Sequence, residues 1–350
     1  MNPIKKNKNI FSSPIFLPDI STFFNQDYKI AEDMISLLMK TDVKVIKGEV
    51  LHDVNICSKE SGNEKYIGRQ SNKLITENTR RLIERKIVPL NIYEKIFSKC
   101  INKGFKLALS VYDIKGLEFA RDIGVSIVKI ASSNIVHQPL IEKAAKFQIP
   151  MIIDTGHSTL EEISRAVNWI RDTGFEEFII EHSPLAPPNP VGAHNLNFMV
   201  NLGKIFNTGF GLSDHHETEE MLYAATALGA TILEKGVCIT DQGDEQDAKH
   251  ALSIDKVPEV LKKINNIYEA MGTGARNLNR NREKYSYRMG LVANKNLKKG
   301  DKINLKNISF AFPNQGIAVE KWSEVFNKKI NKKKDKNQPI RSSDVEFTNS

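Results

Sequence analysis

The sequence is poor in cysteine and has no long apolar run. Its 350 residues include three cysteines, Cys57, Cys100 and Cys238, which form no CxxC pair. An odd, widely spaced set excludes a disulfide framework and suits the reducing cytoplasm. No apolar run approaches the length of a membrane span, and the polar start MNPIKKNKN lacks the core of a signal peptide. We therefore expect a cytoplasmic chain with no membrane partner.

Little in the sequence indicates nucleic-acid binding, although the formal net charge is +8. Part of the basic excess is local, in the stretch NKKINKKK at 327–334. Aromatic residues that could stack on bases are not interleaved with these lysines. We interpret the excess as solvated surface and expect no nucleic-acid partner. Anionic small-molecule substrates remain compatible with this charge.

What the sequence does contain is an alternation of apolar runs with amphipathic stretches. The runs that resemble buried parallel strands lie at 13–21, 43–50, 105–112, 125–132, 149–156, 175–183, 208–214 and 230–237. The stretches with helical periodicity lie at 27–40, 92–103, 115–123, 138–147, 158–173, 192–206, 217–229 and 254–272. Ser158 and Glu161 are expected to form a capping box on the fifth helix. Eight such pairs predict an α/β fold of the (β/α)₈ TIM-barrel type rather than an open sheet.

The domain organisation follows from a change in composition and hydrophobic pattern near residue 275. We predict a barrel domain over 1–275, a polar linker over 276–290 and a small β-rich domain over 291–350. The last segment has short apolar runs, a Lys-Lys-Gly-Asp turn and no long helical pattern. The long polar insert 52–88 is expected to be a loop over the barrel mouth.

Barrel enzymes carry their active sites at the carboxyl ends of the strands. The polar residues at those ends are Lys47, Glu49, Lys129, Ser132, Asp154, His182, Ser183, Ser213, His215 and Glu234. Lys47 and Lys129 both end interior strands, where burial of an unpaired ammonium is costly. We therefore favour an anion-binding role for the two lysines. Salt bridges to Glu49 or Glu234 are the structural alternative.

The densest polar cluster is Ser213-Asp214-His215-His216. His215 at a strand end can ligate a metal, act as a base or hydrogen-bond within its loop, and the residues alone leave these alternatives open. His216 is expected on the solvent side. The histidines expected in loops or at the surface are His52, His137, His157, His194 and His250.

Several segments together resemble one enzyme family. They are VKIASSNIVHQPLIEKAAKFQIPMIIDTGHSTLEEISRAV, GFGLSDHHETEE, GATILEKG, DEQDAKHALSID and the C-terminal LVANKNLKKGDKINLKNISFAFP. In this order they resemble the sialic acid synthase (N-acetylneuraminate synthase) family, including its C-terminal antifreeze-like (SAF) domain. The resemblance covers about 13–346 and is specific from 125 onward. It implies a barrel followed by a SAF domain.

The resemblance also implies a reaction and a set of roles. Phosphoenolpyruvate condenses with an open-chain N-acyl hexosamine, giving a nonulosonic 2-keto acid and phosphate, while a divalent metal (Mn or Mg) polarises the sugar aldehyde. The residues that this implies for substrate binding are Lys47, Glu49, Lys129, Ser132, Ser213 and Asp247. His215 would be the metal ligand, and Glu234 would act with it beside the aldehyde. The implied assembly is a homodimer in which each SAF domain covers the partner's active site.

Departures from the family pattern lie on the metal and acceptor side. Gly236 stands where the family has a second metal-binding histidine. The pair Phe23-Phe24 replaces an Asn-His pair, Asp19 replaces a glutamate, and Asp154 replaces a serine. The lysines and serines of the anion site persist. This pattern favours a divergent synthase with an unusual acceptor.

Two alternatives remain open at the level of sequence. The first is a catalytically impaired barrel paralogue that serves as a binding or regulatory subunit in surface-sugar biosynthesis, such as that of capsule or lipopolysaccharide; Gly236 is its main support. The second is a metal-free aldolase that uses Lys129 or Lys235 as a Schiff base, which requires a lysine with a lowered pKa.

Overall fold

The chain folds into two units in the computed structural model, Met1–Thr273 and Gly274–Ser350. The structure describes residues 11, 13–184, 191–239, 243–275 and 287–347. Most of the expected linker at 276–290 lies outside these ranges. None of the described helices is long and apolar enough to cross a membrane.

The first unit is a closed parallel barrel, as the alternation predicts. Its strands are β1 (Ile15–Asp19), β2 (Val45–Val50), β3 (Asn63–Ile67), β4 (Leu74–Asn78), β5 (Lys106–Val111), β6 (Ile127–Ile130), β7 (Met151–Asp154), β8 (Phe178–His182), β9 (Gly209–Asp214), β10 (Ile232–Cys238) and β11 (Leu252–Ser253). In the described chain β1, β2 and β5 to β10 pair in parallel, and β1 closes the ring against β10. The (β/α)₈ prediction is confirmed.

Helices cover the outside of this barrel. They are α1 (Tyr28–Leu38), α3 (Leu90–Asn102), α4 (Ile114–Asp122), α5 (Gln138–Lys146), α6 (Leu160–Asp172), α7 (Leu196–Phe206), α8 (Glu220–Ala227) and α9 (Val257–Met271), whereas the short α2 (Thr79–Glu84) lies in the insert 52–88. The predicted capping box on α6 is wrong by one residue. Thr159 is the N-cap and Glu162 reaches back to its backbone N–H. Thr159 and Glu162 have the same spacing and the same types of side chain, so the pattern alone does not choose between the two frames.

The barrel interior is built in layers, because alternate residues of a strand point to the same face. One apolar layer consists of Leu17, Val45, Ala108, Ile127, Ile152, Ile179 and Ile232. Two positions further along each strand, the side chains are polar and buried: Asp19, Lys47, Ser110, Lys129, Asp154, Glu181, Ser213 and Glu234. We call this set the polar ring. The apolar layer thus forms a floor beneath a layer of charged and hydroxyl groups.

The insert 52–88 is more structured than the sequence predicts. It contains the antiparallel hairpin β3–β4 and helix α2, not a plain loop. The hairpin turn binds a second loop across the mouth, since the backbone N–H groups of Gln70 and Ser71 donate to Asp244 Oδ1 at 2.8 and 2.9 Å. Arg85 adds an ion pair to Glu245 at 2.8 Å. These partners are far apart in sequence, so local patterns carry no sign of the pairing.

The second unit is small and β-rich, as predicted. It contains the antiparallel strands β12 (Gly290–Ala293) and β13 (Ile308–Ala311) and the short helix α10 (Trp322–Val325). Its own apolar core consists of Leu291, Ala293, Leu297, Ile303, Ile308, Ile317, Val325, Ile330, Ile340 and Val345. Buried Asp344 binds Lys334 and Lys332 at 2.8 and 2.7 Å, which ties the end of the unit to this core.

Candidate active site

A cavity of about 330 Å³ lies above the polar ring, at the carboxyl ends of the barrel strands. All eight candidate site residues line it: Lys47, Glu49, Lys129, Ser132, Ser213, His215, Glu234 and Asp247. Most of the polar ring itself also faces this space. The eight residues that the sequence analysis selected thus lie around one cavity, while their contacts differ from those expected.

Lys47 is held by carboxylates. Its Nζ lies 2.5 Å from Asp19 Oδ2, 3.5 Å from Glu49 Oε1 and 3.6 Å from Glu234 Oε1. Burial lowers the pKa of Lys47, but the three negative charges outweigh it and raise that pKa above the ordinary value. The salt bridges weighed as an alternative are present, with Asp19 as the nearest partner.

Lys129 has three carboxylate partners of its own. Its Nζ lies 2.6 Å from Glu181 Oε2, 2.7 Å from Glu234 Oε1 and 2.9 Å from Asp154 Oδ2. Burial lowers the pKa of Lys129, and these carboxylates raise it well above its usual value. A lysine held as an ammonium is a poor Schiff-base nucleophile. The metal-free aldolase hypothesis therefore loses its main candidate residue.

The carboxylates of the polar ring differ strongly in acidity. Burial and the neighbouring Glu234 charge raise the pKa of Glu181 to about 8. Burial also raises the pKa of Asp19 to about 6, against the attraction of Lys47. At Glu234 the two lysines overcome burial and lower the pKa to about 2. The lysines thus favour the ionised form of Glu234, whereas burial favours the protonated form of Glu181.

Acidic groups outnumber basic ones around the cavity. Among the described lining residues the carboxylates are Asp19, Glu49, Asp154, Asp214, Glu234 and Asp247, and the lysines are Lys47, Lys86, Lys129 and Lys235. Lys235 is already neutralised by Asp214, whose Oδ2 lies 2.8 Å from its Nζ. An anionic substrate would therefore need a proton or a cation to accompany it. The simple anion pocket expected from the two lysines is an incomplete description.

Gly236 lies against an aromatic ring. A β-carbon built on this residue would meet Phe23, with Cε2 at 2.6 Å. Phe23 is buried and lines the same cavity. A histidine at 236 and a phenylalanine at 23 are therefore mutually exclusive in this arrangement. The two departures from the family pattern belong to one structural change.

Two histidines stand together nearby. The rings of His215 and His250 are 4.7 Å apart between centroids, at an interplanar angle of 80°. Both Nδ1 atoms are buried and lack hydrogen-bond partners within the described structure. His250 lies in a loop, one of its two expected positions, but it is buried there, with only 3 % of its surface exposed. Burial, followed by electrostatic repulsion from the neighbouring His215, Lys235 and Lys86, keeps the pKa of His250 well below its ordinary value, which favours the neutral ring.

These atoms bear on whether a divalent metal fits. A third buried atom without a hydrogen-bond partner, Glu234 Oε2, belongs to the same cavity. Imidazole nitrogens and carboxylate oxygens are ligands that Mn and related ions accept. Across the described ranges no three His, Cys, Asp or Glu side chains are already grouped as a metal site. The donor types therefore fit a metal that takes part of its coordination from water or substrate.

Several residues of the site escaped the sequence analysis. Glu181 precedes the two residues that were singled out at the end of β8, and the alternation of the strand would have selected it, since it shares a face with Ile179. Tyr112 donates to Glu49 Oε2 at 2.6 Å and so fixes that carboxylate. His194 lies in a short turn, as one expected alternative, but is buried, and its carbonyl contacts His182 Nε2 at 2.7 Å.

Comparisons with known proteins agree with this architecture. The NeuB family model matches residues 34–276, and the SAF domain model matches residues 288–346. The chain belongs to the NeuB family. The predicted resemblance is thereby confirmed for both domains.

Relatives of this NeuB family chain match it over nearly their full length. A Helicobacter pylori pseudaminic acid synthase is 25 % identical over 95 % of this chain and 98 % of its own. An uncharacterized Methanocaldococcus jannaschii protein is 30 % identical over 92 % of this chain and 91 % of its own. The solved N-acetylneuraminic acid synthetase of Leptospira borgpetersenii is 21 % identical with a TM-score of 0.66, covering 77 % of this chain and 89 % of that one. The last likeness supports the fold alone.

Proposed function

We propose that this chain is a nonulosonic acid synthase, which condenses phosphoenolpyruvate with an open-chain amino sugar or related aldose. The observation that carries the proposal is the convergence of Lys47, Lys129, Ser132 and Ser213 on one cavity of a NeuB family barrel. Carbon 3 of phosphoenolpyruvate forms the new bond to the aldehyde carbon. One water is consumed, and the products are a 2-keto acid and phosphate.

The two lysines and two serines supply the contacts for the phosphate and carboxylate groups. Ammonium and hydroxyl groups are natural partners of oxyanions. Because burial favours the protonated form of Glu181, this carboxyl group beside Lys129 repels an incoming anion less than an ionised carboxylate would. The raised pKa of Glu181 thus lowers the electrostatic cost of placing an anionic substrate beside Lys129.

We assign binding of the acceptor sugar to two other carboxylates that line the cavity, Glu49 and Asp247. Glu49, fixed by Tyr112, and Asp247 would accept hydrogen bonds from the hydroxyl or amide groups of a sugar. A divalent metal bound at His215 would polarise the aldehyde oxygen as a Lewis acid. Glu234, ionised beside Lys129, would orient the groups around that aldehyde.

The impaired-paralogue hypothesis remains the second candidate. It is favoured by the carboxylate pairing of both lysines and by the ring of Phe23 at the place of the missing histidine. Such a protein would bind a sugar acid or its precursor without releasing phosphate. The two candidates therefore differ in whether phosphate is released.

The test is phosphate release from phosphoenolpyruvate with a panel of N-acyl and N,N′-diacyl hexosamines, with and without Mn²⁺. We expect release with at least one acceptor and its loss in Lys129→Ala. Lys44→Ala is the matched control, since Lys44 is exposed just before β2 and should retain wild-type rates. Phosphoenolpyruvate binding without release for any acceptor would favour the second candidate. Absence of both binding and release would overturn the synthase proposal.

The homodimer with exchanged SAF domains stays a prediction from the resemblance. Light scattering of the full chain gives its mass directly. Mixing two inactive variants, one altered at Lys129 and one truncated before residue 288, would restore phosphate release only if each SAF domain completes the partner's site. A monomer in solution would contradict the expectation.

A further inference from the structure

We propose that His250 supplies the second imidazole of the metal site, paired with His215, in a position different from that of the family's second histidine. The inference rests on the proposed function only in placing the ion in the same cavity. The two histidines lie on different segments of the chain. His215 directly follows β9, and His250 lies in the segment that follows β10.

The first argument is geometric. His215 directly follows β9, and His250 lies in the short turn Ala248–His250 that leads into β11. Their ring centroids are 4.7 Å apart, and both residues line the cavity. Two imidazoles at this distance can share one ion after small side-chain rotations, with water or substrate oxygens filling the remaining positions.

The second argument is that the structure leaves their nitrogens unused. A buried polar atom without a partner loses its hydration and gains nothing in return. His215 Nδ1 and His250 Nδ1 are in this condition among the described residues, as is Glu234 Oε2. All three belong to side chains that line one cavity. A cation held between the two imidazoles would give both Nδ1 atoms a partner.

The third argument is charge. Carboxylates exceed lysines around the cavity. Of the two lysines that act on His250, Lys235 is paired with Asp214 at 2.8 Å, and Lys86 donates to Gln246 Oε1 at 3.1 Å. The excess of carboxylates in the lining as a whole therefore favours a divalent cation in the cavity. A cation at this place would also offset the acidic charge that opposes an anionic substrate.

The fourth argument explains why the imidazole has moved. The ring of Phe23 fills the space beside Gly236, so a side chain cannot enter there. Two contacts hold the loop that carries His250. Asp244 accepts hydrogen bonds from the hairpin turn, and Leu252 pairs with Val237 of β10. The donor is thus held on a fixed loop instead of the strand.

The experiment measures Mn²⁺ affinity of the full chain by titration calorimetry and by the loss of the free-ion electron paramagnetic resonance signal. His215→Ala and His250→Ala should each weaken binding by about tenfold or more, on the scale of the tenfold to hundredfold effects seen when support of a metal ligand is lost. His216→Ala is the matched control, because His216 neighbours His215 but bonds to Thr218, and should change affinity less than about twofold.

His250→Gln guards against misfolding, since it keeps a polar side chain of similar length. Loss of affinity in both His250 variants, with wild-type circular dichroism, supports the site. Affinity unchanged in both variants, or no Mn²⁺ binding by the wild type, would overturn it. If the wild type binds Mn²⁺ through both histidines but releases no phosphate, the synthase proposal fails alone. If it releases phosphate while the His250 variants keep full Mn²⁺ affinity, this inference fails alone.

Discussion

The ring of Phe23 occupies the space into which a side chain at Gly236 would extend, with Cε2 2.6 Å from the position of its β-carbon. Both residues are buried in the wall of the same cavity. The presence of one aromatic ring thus requires the absence of any larger residue at the other position. The residues at positions 23 and 236 depart from the family pattern separately in the sequence, but they form a single structural change.

Restoring the family's histidine alone should therefore destabilise the protein. Gly236→His forces the Phe23 ring out of a packed wall, and overpacking of this kind costs about 1–3 kcal/mol. Combining it with Phe23→Ala should recover much of that loss. Thermal unfolding of the two single variants and the double variant gives the coupling. Additive effects, with no recovery in the double variant, would contradict the exchange.

Phosphoenolpyruvate affinity should rise as the pH falls through about 8. The pKa of Glu181 is raised to about 8 by burial and by the Glu234 and Asp154 charges, against the attraction of Lys129. Protonation of Glu181 removes one negative charge from the surroundings of Lys129 and favours an anion there. Calorimetry from pH 6 to pH 9 measures the trend.

Glu181→Gln provides the matched test of this pH dependence. A neutral amide of the same shape should keep high affinity at pH 9 and flatten the profile. Glu94→Gln, at an exposed position on α3, should leave the wild-type profile unchanged. A wild-type affinity that is constant between pH 7 and pH 9 would contradict the assignment.

The same carboxyl should make folding stability depend on pH. Its pKa is near 8 in the folded chain and 4.5 in the ordinary state, so the unfolded chain binds fewer protons between these values. The contribution of Glu181 to stability therefore falls as the pH rises from about 4.5 to about 8. The melting temperature of Glu181→Gln, relative to wild type, should increase from pH 5 to pH 9. An equal difference at both pH values would refute this.

The hydrogen bonds between the β3–β4 hairpin turn and the loop that contains Asp244 should have a measurable effect. Asp244→Ala removes the acceptor of two backbone N–H groups, each worth about 1 kcal/mol. We expect faster hydrogen exchange over 243–250 and weaker Mn²⁺ binding, with little change in global melting. Asp255→Ala, an exposed acid beyond the loop, is the control. Unchanged exchange in the loop would show that other contacts hold it.

The strands and their polar ends could be predicted because both follow from short-range periodicity. A strand covered on both faces reads as an apolar run, and Lys47 and Lys129 interrupt such runs at the ends where barrels place their sites. The partners of these lysines are non-local. Glu181 and Asp154 reach Lys129 only when β6, β7 and β8 are side by side.

The loops were predicted less well for the same reason. His250 reads as a loop residue, and only the docking of its loop against β10 and the hairpin buries it. The hairpin itself lies inside a polar insert whose hydrophobic signal is weak, because its strands are mostly half-buried or exposed. Local patterns describe elements, whereas burial of loop residues is decided by contacts across the mouth.

Closure of the barrel has a consequence for biosynthesis. Ile15 at the start of β1 pairs with Ile232 at the start of β10. The first barrel strand therefore cannot complete its pairing until the last one has been synthesised. Every nascent chain that ends before β10 is an open sheet with an unpaired edge, and such edges recruit strands from other molecules. Pairings this distant along the chain also form slowly. Prematurely terminated products are thus prone to aggregate, and the emerging chain needs shielding until synthesis has passed Cys238.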